Sequence, residues 1–526
     1  MPRRNDRLTF FGAVFTLAAI TVPPAVPAAS LPQAAQILAL HHAALAPHGA
    51  SPPAVLESSG TLTGANLNGT FATWHDPDHD RVDQILGIRQ ERTLRIGERQ
   101  FLQNSSGNVI ELKGLLLRRA RTQDFITSAD LFGKPQYSTV VGAATLPDGR
   151  DVIQLQVSPP GGEPETMDID AQTHLLDRLE YVDGDGMFTI DFSDYRPLDG
   201  FLFSFKQVQS DGDHPYDITQ IVTEMLPKQK ISPETFVPFV ATHLKAAAPI
   251  TIPITERAGA LYADVSIFGR TFSFLIDSGA QGVVLDSRVA ASLTLEPEGS
   301  FEARGATRSA GIGVAALDHL LIGGAALPVH VVSVLDLNAS TAGRFPIDGI
   351  LGFPLFGACQ VTIDYAHKRM TIAPPGTQSP RGEAFDIDVD RELLELNATV
   401  NGVQGRFLVD TGNGNELLIF HNFLEAHTGM LAFNPTGSAG NYGIGGATRA
   451  YATDVDELDI GAYRFFHSYA NVILSDEGAF ADRFDAGNIG LGVLKNFVVT
   501  FDVPDRKLFL TPGVNFNDGR DRTVFR

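Results

Sequence analysis

The chain has 526 residues, of which 44% are hydrophobic, and it carries a formal net charge of −21. This length predicts two to four domains. The acidic balance excludes nucleic acid as an expected partner, because binding to phosphates requires a basic face. The single cysteine, Cys359, cannot form an intrachain disulfide, and the apolar surroundings in "GACQVTID" favour a buried packing thiol over a nucleophile.

The N-terminus predicts an export signal. Arg3, Arg4 and Arg7 form a basic start, the apolar run "LTFFGAVFTLAAITV" follows, and "VPAAS" offers small residues for cleavage near Ala28 or Ala29. An uncleaved anchor is the alternative. No later stretch is long and apolar enough to cross a bilayer. We therefore expect an exported protein, periplasmic or secreted, with no membrane span after removal of the signal.

The region after the signal predicts a helix followed by a β domain. Residues 31–50 have helical spacing. From about Ser58 to Met225, short alternating apolar runs are separated by Asp-Gly turns, a pattern typical of an antiparallel sheet rich in hairpins. This pattern, with phrases such as "LDGFLFSFKQVQSDGD", resembles the half-barrel domains of periplasmic lipoprotein carriers. The segment "PKQKISPETFVPFV" then predicts a linker.

One cluster in the β domain has residue types that bind metals. The stretch "WHDPDHDRVD" contains His75, Asp76, Asp78, His79 and Asp80. Its proline and the alternating residues on both sides favour the charged tip of a hairpin instead. We therefore expect no metal site there.

The second half of the chain contains nearly the same phrase twice, "FLIDSGAQG" ending at Gly282 and "FLVDTGNGN" ending at Asn415. Each phrase follows a strand, a tight turn and a second strand. Each is followed by an apolar strand and a short helix, "VVL" with "SRVAASL" and "LLIF" with "NFLEAHTG". Each copy closes on an apolar element containing glycine, which we match through Gly352 and Gly492. This shared order indicates an internal duplication, and related units tend to pack about a two-fold axis.

Two aspartates, Asp277 and Asp410, occupy equivalent positions in the two phrases. A single Asp-Ser/Thr-Gly motif is more often a structural turn at the end of a strand. Two carboxyl groups that meet at an axis cannot both ionise easily, so one keeps its proton and the other stays charged. Such a pair can take a proton from one water and donate a proton to a substrate carbonyl. This chemistry needs no metal, cofactor or covalent intermediate.

The residues that follow each aspartate support the pair in this interpretation. We expect the hydroxyl groups of Ser278 and Thr411 to hydrogen-bond across the axis and to hold the two turns in register. We expect Gly279 and Gly412 to leave room for water and for backbone.

The two copies resemble the aspartic proteases, and more closely the small retropepsin-like unit than the larger pepsin lobe. The resemblance rests on the two aspartate motifs and on a later apolar-apolar-Gly element, at Ile350-Leu351-Gly352 and at Gly490-Leu491-Gly492 after Ile489. It covers about residues 250–515. It implies that Asp277 and Asp410 are the catalytic dyad of a single-chain pseudo-dimer that hydrolyses peptide bonds.

Two features stand out against the family pattern. The family usually has Ala after the motif, and Ala280 keeps it, but the second copy has Asn413, an amide that would compete for the water. The stretch "YGIGGATRAY" resembles a flap hairpin, with flap residues Tyr442, Gly443, Gly445 and Gly446. Its counterpart "AGIGVAALDH" keeps two glycines, Gly311 and Gly313, but lacks the third. A simple mobile turn is the alternative for both.

The sequence therefore predicts a mainly β protein, with an N-terminal antiparallel β domain followed by two tandem retropepsin-like lobes. The predicted segments are a signal peptide (1–29), a helix plus β domain (30–228), a linker (229–250), lobe one (251–376) and lobe two (377–526). The expected function is an aspartic endopeptidase acting on peptide or protein substrates. The alternative is a non-catalytic peptide- or lipid-binding envelope protein that keeps the fold. The sequence does not fix the oligomeric state and is compatible with a monomer.

Overall fold

The computed structural model describes residues 32–212, 214–305, 309–340, 346–432, 439–443, 446–475, 478–514 and 516. The expected export signal and the flap residue Gly445 lie outside these ranges. No helix within them has the length and apolar character needed to cross a membrane.

The N-terminal domain is built on one antiparallel sheet of thirteen strands. The strands are β1 (Leu56–Gly64), β2 (Leu67–Asp76), β3 (His79–Leu86), β4 (Arg89–Ile96), β5 (Arg99–Gln103), β6 (Val109–Glu111), β7 (Ser138–Thr145), β8 (Asp151–Val157), β9 (Glu165–Asp170), β10 (Leu176–Asp183), β11 (Gly186–Leu198), β12 (Phe201–Ser210) and β13 (Ile218–Pro227). The α-helices are α1 (Ala34–Leu45), α2 (Gly114–Thr127) and α3 (Asp130–Gly133), and short 3-10 turns span Pro135–Tyr137 and His214–Tyr216. Two meanders, β1 to β6 and β7 to β13, join through the β1–β13 pair.

The hairpin pattern expected for this domain is confirmed. Each of the four predicted Asp-Gly turns lies between two successive strands of the sheet. The histidine- and aspartate-rich stretch forms the β2–β3 hairpin, in which His75 pairs with Asp80 and Asp76 pairs with His79. Within the described ranges, no group of three or more His, Cys, Asp and Glu side chains is placed to hold a metal ion.

Helix α2 was not expected from the sequence pattern. Its buried face includes Leu115 and Phe125, but also the polar residues Arg119 and Thr122. Arg119 donates a hydrogen bond to the carbonyl of Val182 at 2.6 Å, and Thr122 donates one to the carbonyl of Glu163 at 2.6 Å. Polar side chains in the buried positions interrupt the apolar periodicity on which helix prediction depends.

The segment predicted as a linker lies against both halves of the chain. It contains a 3-10 turn, Pro233–Phe236, whose Phe236 ring stacks on His79 with centroids 4.7 Å apart. Farther along, the buried Leu244 donates its N–H to the carbonyl of Ala358 at 2.9 Å. The segment is therefore anchored at these two points, while Val237 and Val240 between them are exposed. Regular structure resumes at Ile250.

Among its described residues, the first half of the remaining chain contributes thirteen strands and three helices. The strands are β14 (Ile250–Pro253), β15 (Thr255–Arg257), β16 (Ala260–Ile267), β17 (Arg270–Ile276), β18 (Val283–Asp286), β19 (Glu298–Arg304), β20 (Ser309–Ala316), β21 (Leu320–Ile322), β22 (Ala325–Ala326), β23 (Val331–Leu335), β24 (Gly349–Leu351), β25 (Gln360–Asp364) and β26 (Arg369–Ala373). The helices are α4 (Ser287–Ser292), α5 (Leu337–Ser340) and α6 (Phe353–Ala358). Strands β15 to β24 form the sheet of lobe one.

The second half contributes eleven strands and two helices within the described residues. Its strands are β27 (Glu383–Asp386), β28 (Asp388–Asp390), β29 (Leu393–Val400), β30 (Val403–Val409), β31 (Leu417–Phe420), β32 (Ala439–Gly443), β33 (Gly446–Ile460), β34 (Tyr463–Ile473), β35 (Gly487–Ile489), β36 (Phe497–Asp502) and β37 (Lys507–Pro512). Its helices are α7 (His421–Ala426) and α8 (Leu491–Leu494), with a 3-10 turn at Ala479–Ala481. Strands β28 to β35 form the sheet of lobe two.

A six-stranded sheet joins the two lobes, in the order β14-β26-β25-β36-β37-β27. Its central strands pair antiparallel, and Thr362 lies opposite Thr500 with their hydroxyl oxygens 2.9 Å apart. From the centre outwards, lobe one contributes its last hairpin, β25 and β26, and then β14, which precedes the lobe in the sequence. Lobe two contributes β36, β37 and β27 in the same way. The sheet therefore has a pseudo-two-fold arrangement.

The largest hydrophobic core runs through both lobes without a break. It includes Phe274 and Phe407 in the strands that lead to the two aspartates, and it also includes Ile110 and Leu244 from the preceding region. Cys359 lies in this core and is fully buried. Burial raises the pKa of the Cys359 thiol, which keeps it protonated.

Candidate active site

The two predicted aspartates lie at the ends of equivalent strands. β17 ends immediately before Asp277 and β30 ends immediately before Asp410. Each strand pairs in parallel with the closing strand of its own lobe, β24 or β35. The N–H of Asp277 donates to the carbonyl of Leu351 at 3.1 Å, and the N–H of Asp410 donates to that of Ile489 at 3.0 Å. These ladders fix both turns at the junction between the lobes.

The structure places the two carboxyl groups side by side. A methyl group built on Gly279 would lie 2.6 Å from the carboxyl carbon of Asp410. A methyl group built on Gly412 would overlap the carboxyl group of Asp277 in the same way. Each carboxyl therefore packs against the glycine of the opposite motif, and the two groups are close enough to hydrogen-bond to each other.

The hydroxyl residues cross-link the two turns. The N–H of Ser278 donates to the hydroxyl of Thr411 at 3.0 Å, and the N–H of Thr411 donates to the hydroxyl of Ser278 at 3.0 Å. Each hydroxyl then donates to a carbonyl in the opposite lobe, Ser278 to Val409 at 2.6 Å and Thr411 to Ile276 at 2.8 Å. Both side chains are buried. These four bonds hold the aspartates in register across the axis.

The electrostatic surroundings of the two aspartates differ. Burial, together with the negative charge of Asp410, holds the pKa of Asp277 well above its usual range. Burial also raises the pKa of Asp410, but hydrogen bonds to its carboxylate act in the opposite direction. The carboxylate accepts from the N–H of Gly412 at 2.8 Å, from the N–H of Asn413 at 3.1 Å and from the side-chain amide of Asn488 at 2.8 Å. Asp277 accepts one such bond, from the N–H of Gly279 at 2.9 Å.

Asn413, the departure from the family pattern, is held within its own loop. Its side-chain oxygen accepts two hydrogen bonds from Asn415, from the backbone N–H at 3.0 Å and from the side-chain amide at 2.9 Å. Its own N–H is directed at Asp410. This residue therefore contributes a donor to the dyad through its backbone, whereas its buried side-chain nitrogen has no hydrogen-bond partner within the described residues.

The predicted flap of lobe two is a hairpin of β32 and β33. Gly443 ends the first strand and pairs with Gly446, which begins the second with a φ of 111° that favours glycine. Tyr442 lies in β32 and pairs with Ala447 through the backbone. Gly445 lies outside the described residues.

The counterpart in lobe one is the β19–β20 hairpin, but its glycines were matched incorrectly. Gly311 and Gly313 lie in the returning strand β20, where Gly311 pairs with Glu302 and Gly313 pairs with Val334. The turn of this hairpin therefore comes earlier in the chain than the sequence match placed it. The mismatch arises because a Gly-Ile-Gly run occurs in both hairpins, whereas strand pairing sets the position of the turn.

The closing glycine of lobe two was also matched incorrectly. Gly352 precedes helix α6 in lobe one, and Gly490, not Gly492, precedes helix α8 in lobe two. The closing strands therefore align Ile350 with Asn488, two residues earlier than the glycine match through Gly492. In this alignment the amide Asn488 lies directly beside Asp410, where lobe one has the apolar Ile350. The sequence match through Gly492 missed Asn488.

The N-terminal domain contacts the β19–β20 hairpin at its base. The carbonyl of Ala65 accepts from the N–H of Ser300 at 2.7 Å, and the carboxylate of Glu298 accepts from the N–H of Ile88 at 2.9 Å. The guanidinium of Arg89 lies over the ring of Phe301, 4.7 Å from its centroid. These contacts join two hairpin turns of the N-terminal domain to strand β19, which lies far from them in the sequence, so no local pattern indicated them.

A second contact links the N-terminal domain to lobe two. The tip of the β10–β11 hairpin accepts two backbone hydrogen bonds, from Gly478 to the Asp185 carboxylate at 2.7 Å and from Arg483 to the Gly184 carbonyl at 3.1 Å. Next to this tip, the N–H of Ala479 donates to the carbonyl of Gly305 at 3.0 Å, which joins lobe two to lobe one. The N-terminal domain therefore touches both lobes.

Gly279→Ala should lower any activity of the dyad by about 10²-fold, because the added methyl group overlaps the Asp410 carboxyl and must displace it. Gly282→Ala is the matched control, since a methyl group there meets no atom within 4 Å. Turnover and thermal melting of both variants test this expectation. Equal effects of the two substitutions would show that activity does not depend on the close approach of Gly279 to the Asp410 carboxyl group.

Comparison with known protein families gives one match. The sequence model of the Aspartyl protease family matches residues 263–355. This range contains Asp277, the Ser278 and Gly279 that follow it, and the closing strand β24 of lobe one. No curated protein matches the chain.

Comparison with solved structures gives neighbours for both parts of the chain. An aspartic proteinase from Irpex lacteus is 13% identical, with a TM-score of 0.35, and the match covers 51% of this chain and 99% of that one. A LolA superfamily protein from Nitrosomonas europaea is 11% identical, with a TM-score of 0.28, over 39% of this chain and 98% of that one. A DUF1329 family protein from Desulfovibrio piger is 12% identical, with a TM-score of 0.28, over 39% of this chain and 95% of that one.

Proposed function

We propose that the chain is an aspartic-type endopeptidase, exported from the cell, in which Asp277 and Asp410 activate one water. The observation that carries the proposal is the geometry of the pair. Two carboxyl groups lie in contact at the junction between two equivalent lobes, and each packs against the glycine of the opposite motif. The match of residues 263–355 to the Aspartyl protease family supports the same chemistry.

The reaction begins with one carboxyl ionised and the other protonated. The ionised group takes a proton from the water as its oxygen bonds to the peptide carbonyl carbon, and the protonated group gives its proton to the carbonyl oxygen. The product is a geminal diol. In the second step the C–N bond breaks, and the group that took the water's proton gives it to the leaving nitrogen. The other group recovers its proton from one diol hydroxyl as the carbonyl reforms, so the pair returns to its starting state.

An extended peptide is the substrate that this arrangement suits best. β32 and β19 are edge strands of the two lobe sheets, so each can offer backbone groups to an extended chain, in the manner of strand addition. The flap role expected for Tyr442, Gly443, Gly445 and Gly446 of lobe two is part of this proposal. Ser278 and Thr411 keep the dyad in position through their bonds across the axis.

The test is incubation of the purified chain with an unbiased peptide pool between acid and neutral pH, followed by mass spectrometry. We expect new termini inside the peptides with the wild type and none with Asp277→Asn. Cleavage that survives Asp277→Asn would come from another source. No cleavage by the wild type at any pH would overturn the proposal in favour of a non-catalytic binding protein.

A further inference from the structure

The two lobes differ at the position beside each aspartate. In lobe one, side chains directly opposite one another run from Tyr262 to Leu275 to Ile350 across β16, β17 and β24. In lobe two, the equivalent row runs from Glu395 to Leu408 to Asn488 across β29, β30 and β35. Neighbours in such a row face the same side of the sheet. Asn488 therefore occupies the position that Ile350 occupies in lobe one.

Ile350 has apolar surroundings that suit its side chain. It is buried in a cluster with Tyr262, Leu275, Leu335 and Ile347. The Ile350 side chain has no hydrogen-bond donor to offer Asp277. The N–H of Gly279 is therefore the donor that the loop after Asp277 supplies. Lobe one therefore does little to stabilise a negative charge on its aspartate.

Asn488 is buried, and one end of its amide is committed to the dyad. Its nitrogen donates to Asp410 at 2.8 Å. Its oxygen has no hydrogen-bond partner within the described part of the chain. A buried amide oxygen without a partner costs free energy, so a purely structural role would favour an apolar residue such as that in lobe one. The bond to Asp410 is the interaction that the amide gains.

We propose that Asn488 is a positioning residue that makes Asp410 the ionised member of the pair and leaves the proton on Asp277. A hydrogen bond donated to a carboxylate stabilises its charged form. Asp410 receives three such bonds, whereas the loop of lobe one gives Asp277 one. The inference rests on the proposed function and assigns its roles, with Asp410 as the base that takes the water's proton and Asp277 as the acid.

Other charged groups near this row pair with one another. Glu395 lies 2.9 Å from the guanidinium of Arg406, and Asp485 lies 3.4 Å from the same group. Burial raises the pKa of Glu395 to about 10, and burial together with the charge of Asp482 raises the pKa of Asp485 to about 7. Asp485 therefore titrates in the range where the dyad acts, and the test must separate it from Asp410.

The first test is the pH profile of kcat/KM for Asn488→Ile, which copies lobe one. The acid limb of the profile reports protonation of the base. Loss of one donor should move this limb up by about one pH unit. The mirror variant Ile350→Asn adds a donor beside Asp277 and should move the alkaline limb down. Asn488→Leu, close to asparagine in shape, replaces Asn488→Ile should that variant fold poorly. Unmoved limbs in folded variants would overturn the proposal.

The second test does not depend on turnover, so it also holds if the chain proves not to be a protease. Asn488→Ile raises the folded-state pKa of Asp410 further above its unfolded value, so the stability of the variant should fall more steeply than that of the wild type as pH rises. Melting temperatures across pH 4 to 8 measure this difference, and the same substitution made on Asp410→Asn should abolish it. A difference that persists there would assign the effect to Asp485 or another group and overturn the proposal.

Discussion

Asp277→Asn and Asp410→Asn should each reduce peptide hydrolysis to background while the chain remains folded. An amide has nearly the shape of a carboxyl group, but it can neither accept the water's proton nor give a proton to the substrate carbonyl oxygen. Loss of general acid–base catalysis is typically worth about 10²–10⁴-fold. Both carboxyl groups act on one water, so the double variant should lose little more than either single variant.

The folded state should tolerate Asp277→Asn well. The amide oxygen can still accept from the N–H of Gly279. The folded pKa of Asp277 lies above its usual value, so between those two pKa values the folded chain holds a proton that the unfolded chain has released. Stability therefore falls as pH rises through this window, and the amide removes that loss. We expect the melting temperature of Asp277→Asn near neutral pH to match or exceed that of the wild type.

Asp410→Asn poses a harder packing problem, because its new amide nitrogen faces the donating nitrogen of Asn488. Rotation of the Asn488 side chain presents its unpartnered oxygen instead and restores the bond. We therefore expect a folded variant with a lower melting temperature than Asp277→Asn. Turnover and melting of the two single variants and the double variant provide the measurement. Near wild-type turnover in either single variant would exclude the shared-water mechanism.

The two similar stretches of sequence were informative because each contains the local patterns that predict the strands, turn and helix around its aspartate. The apolar strands before Asp277 and Asp410, the turn glycines and the short helices after the motifs all lie where their patterns placed them. Such patterns predict strands and turns directly, since they depend on neighbours in the chain. The predicted duplication led us to expect that the two motifs lie side by side, and the structure brings the two carboxyl groups together.

Features that depend on strand register or on distant contacts were not predictable from the sequence. Gly492 was matched to Gly352 because both follow apolar residues, whereas the hydrogen bond from Asp410 to Ile489 shows that Gly490 is the equivalent position. Asn488 became visible only after this correction. The contact of Ala65 with Ser300 joins the β1–β2 turn to strand β19, which lies far from it in the sequence, and neither segment carries a local signal for it.

Thr411→Val should strongly destabilise the chain. The threonine hydroxyl accepts from the N–H of Ser278 and donates to the carbonyl of Ile276, and its side chain is fully buried. Valine keeps the shape but leaves both backbone groups without a partner. Each buried unsatisfied group costs about 1–3 kcal/mol, so we expect a loss of about 2–5 kcal/mol in the free energy of unfolding.

The loss should extend to activity, because these bonds are the direct cross-links between the two motifs. Ser278→Ala removes the equivalent pair of bonds, from the N–H of Thr411 and to the carbonyl of Val409. The alanine also leaves a small gap, so its effect on unfolding should be similar to that of Thr411→Val. Both variants should cleave peptides more slowly, since a small misplacement of one carboxyl against the other can cost about 10²-fold.

Two controls separate the cross-link from general effects of losing a hydroxyl group. Thr411→Ser keeps the hydroxyl and should restore most of the stability and activity. Thr251→Val removes an exposed hydroxyl that bonds to Thr371 at 2.8 Å, and it should change the free energy of unfolding by less than about 0.5 kcal/mol. Denaturant unfolding of the four variants provides the comparison. If Thr411→Val were as mild as Thr251→Val, the hydroxyl bonds would not hold the dyad together, and the six-stranded sheet between the lobes would have to set its geometry alone.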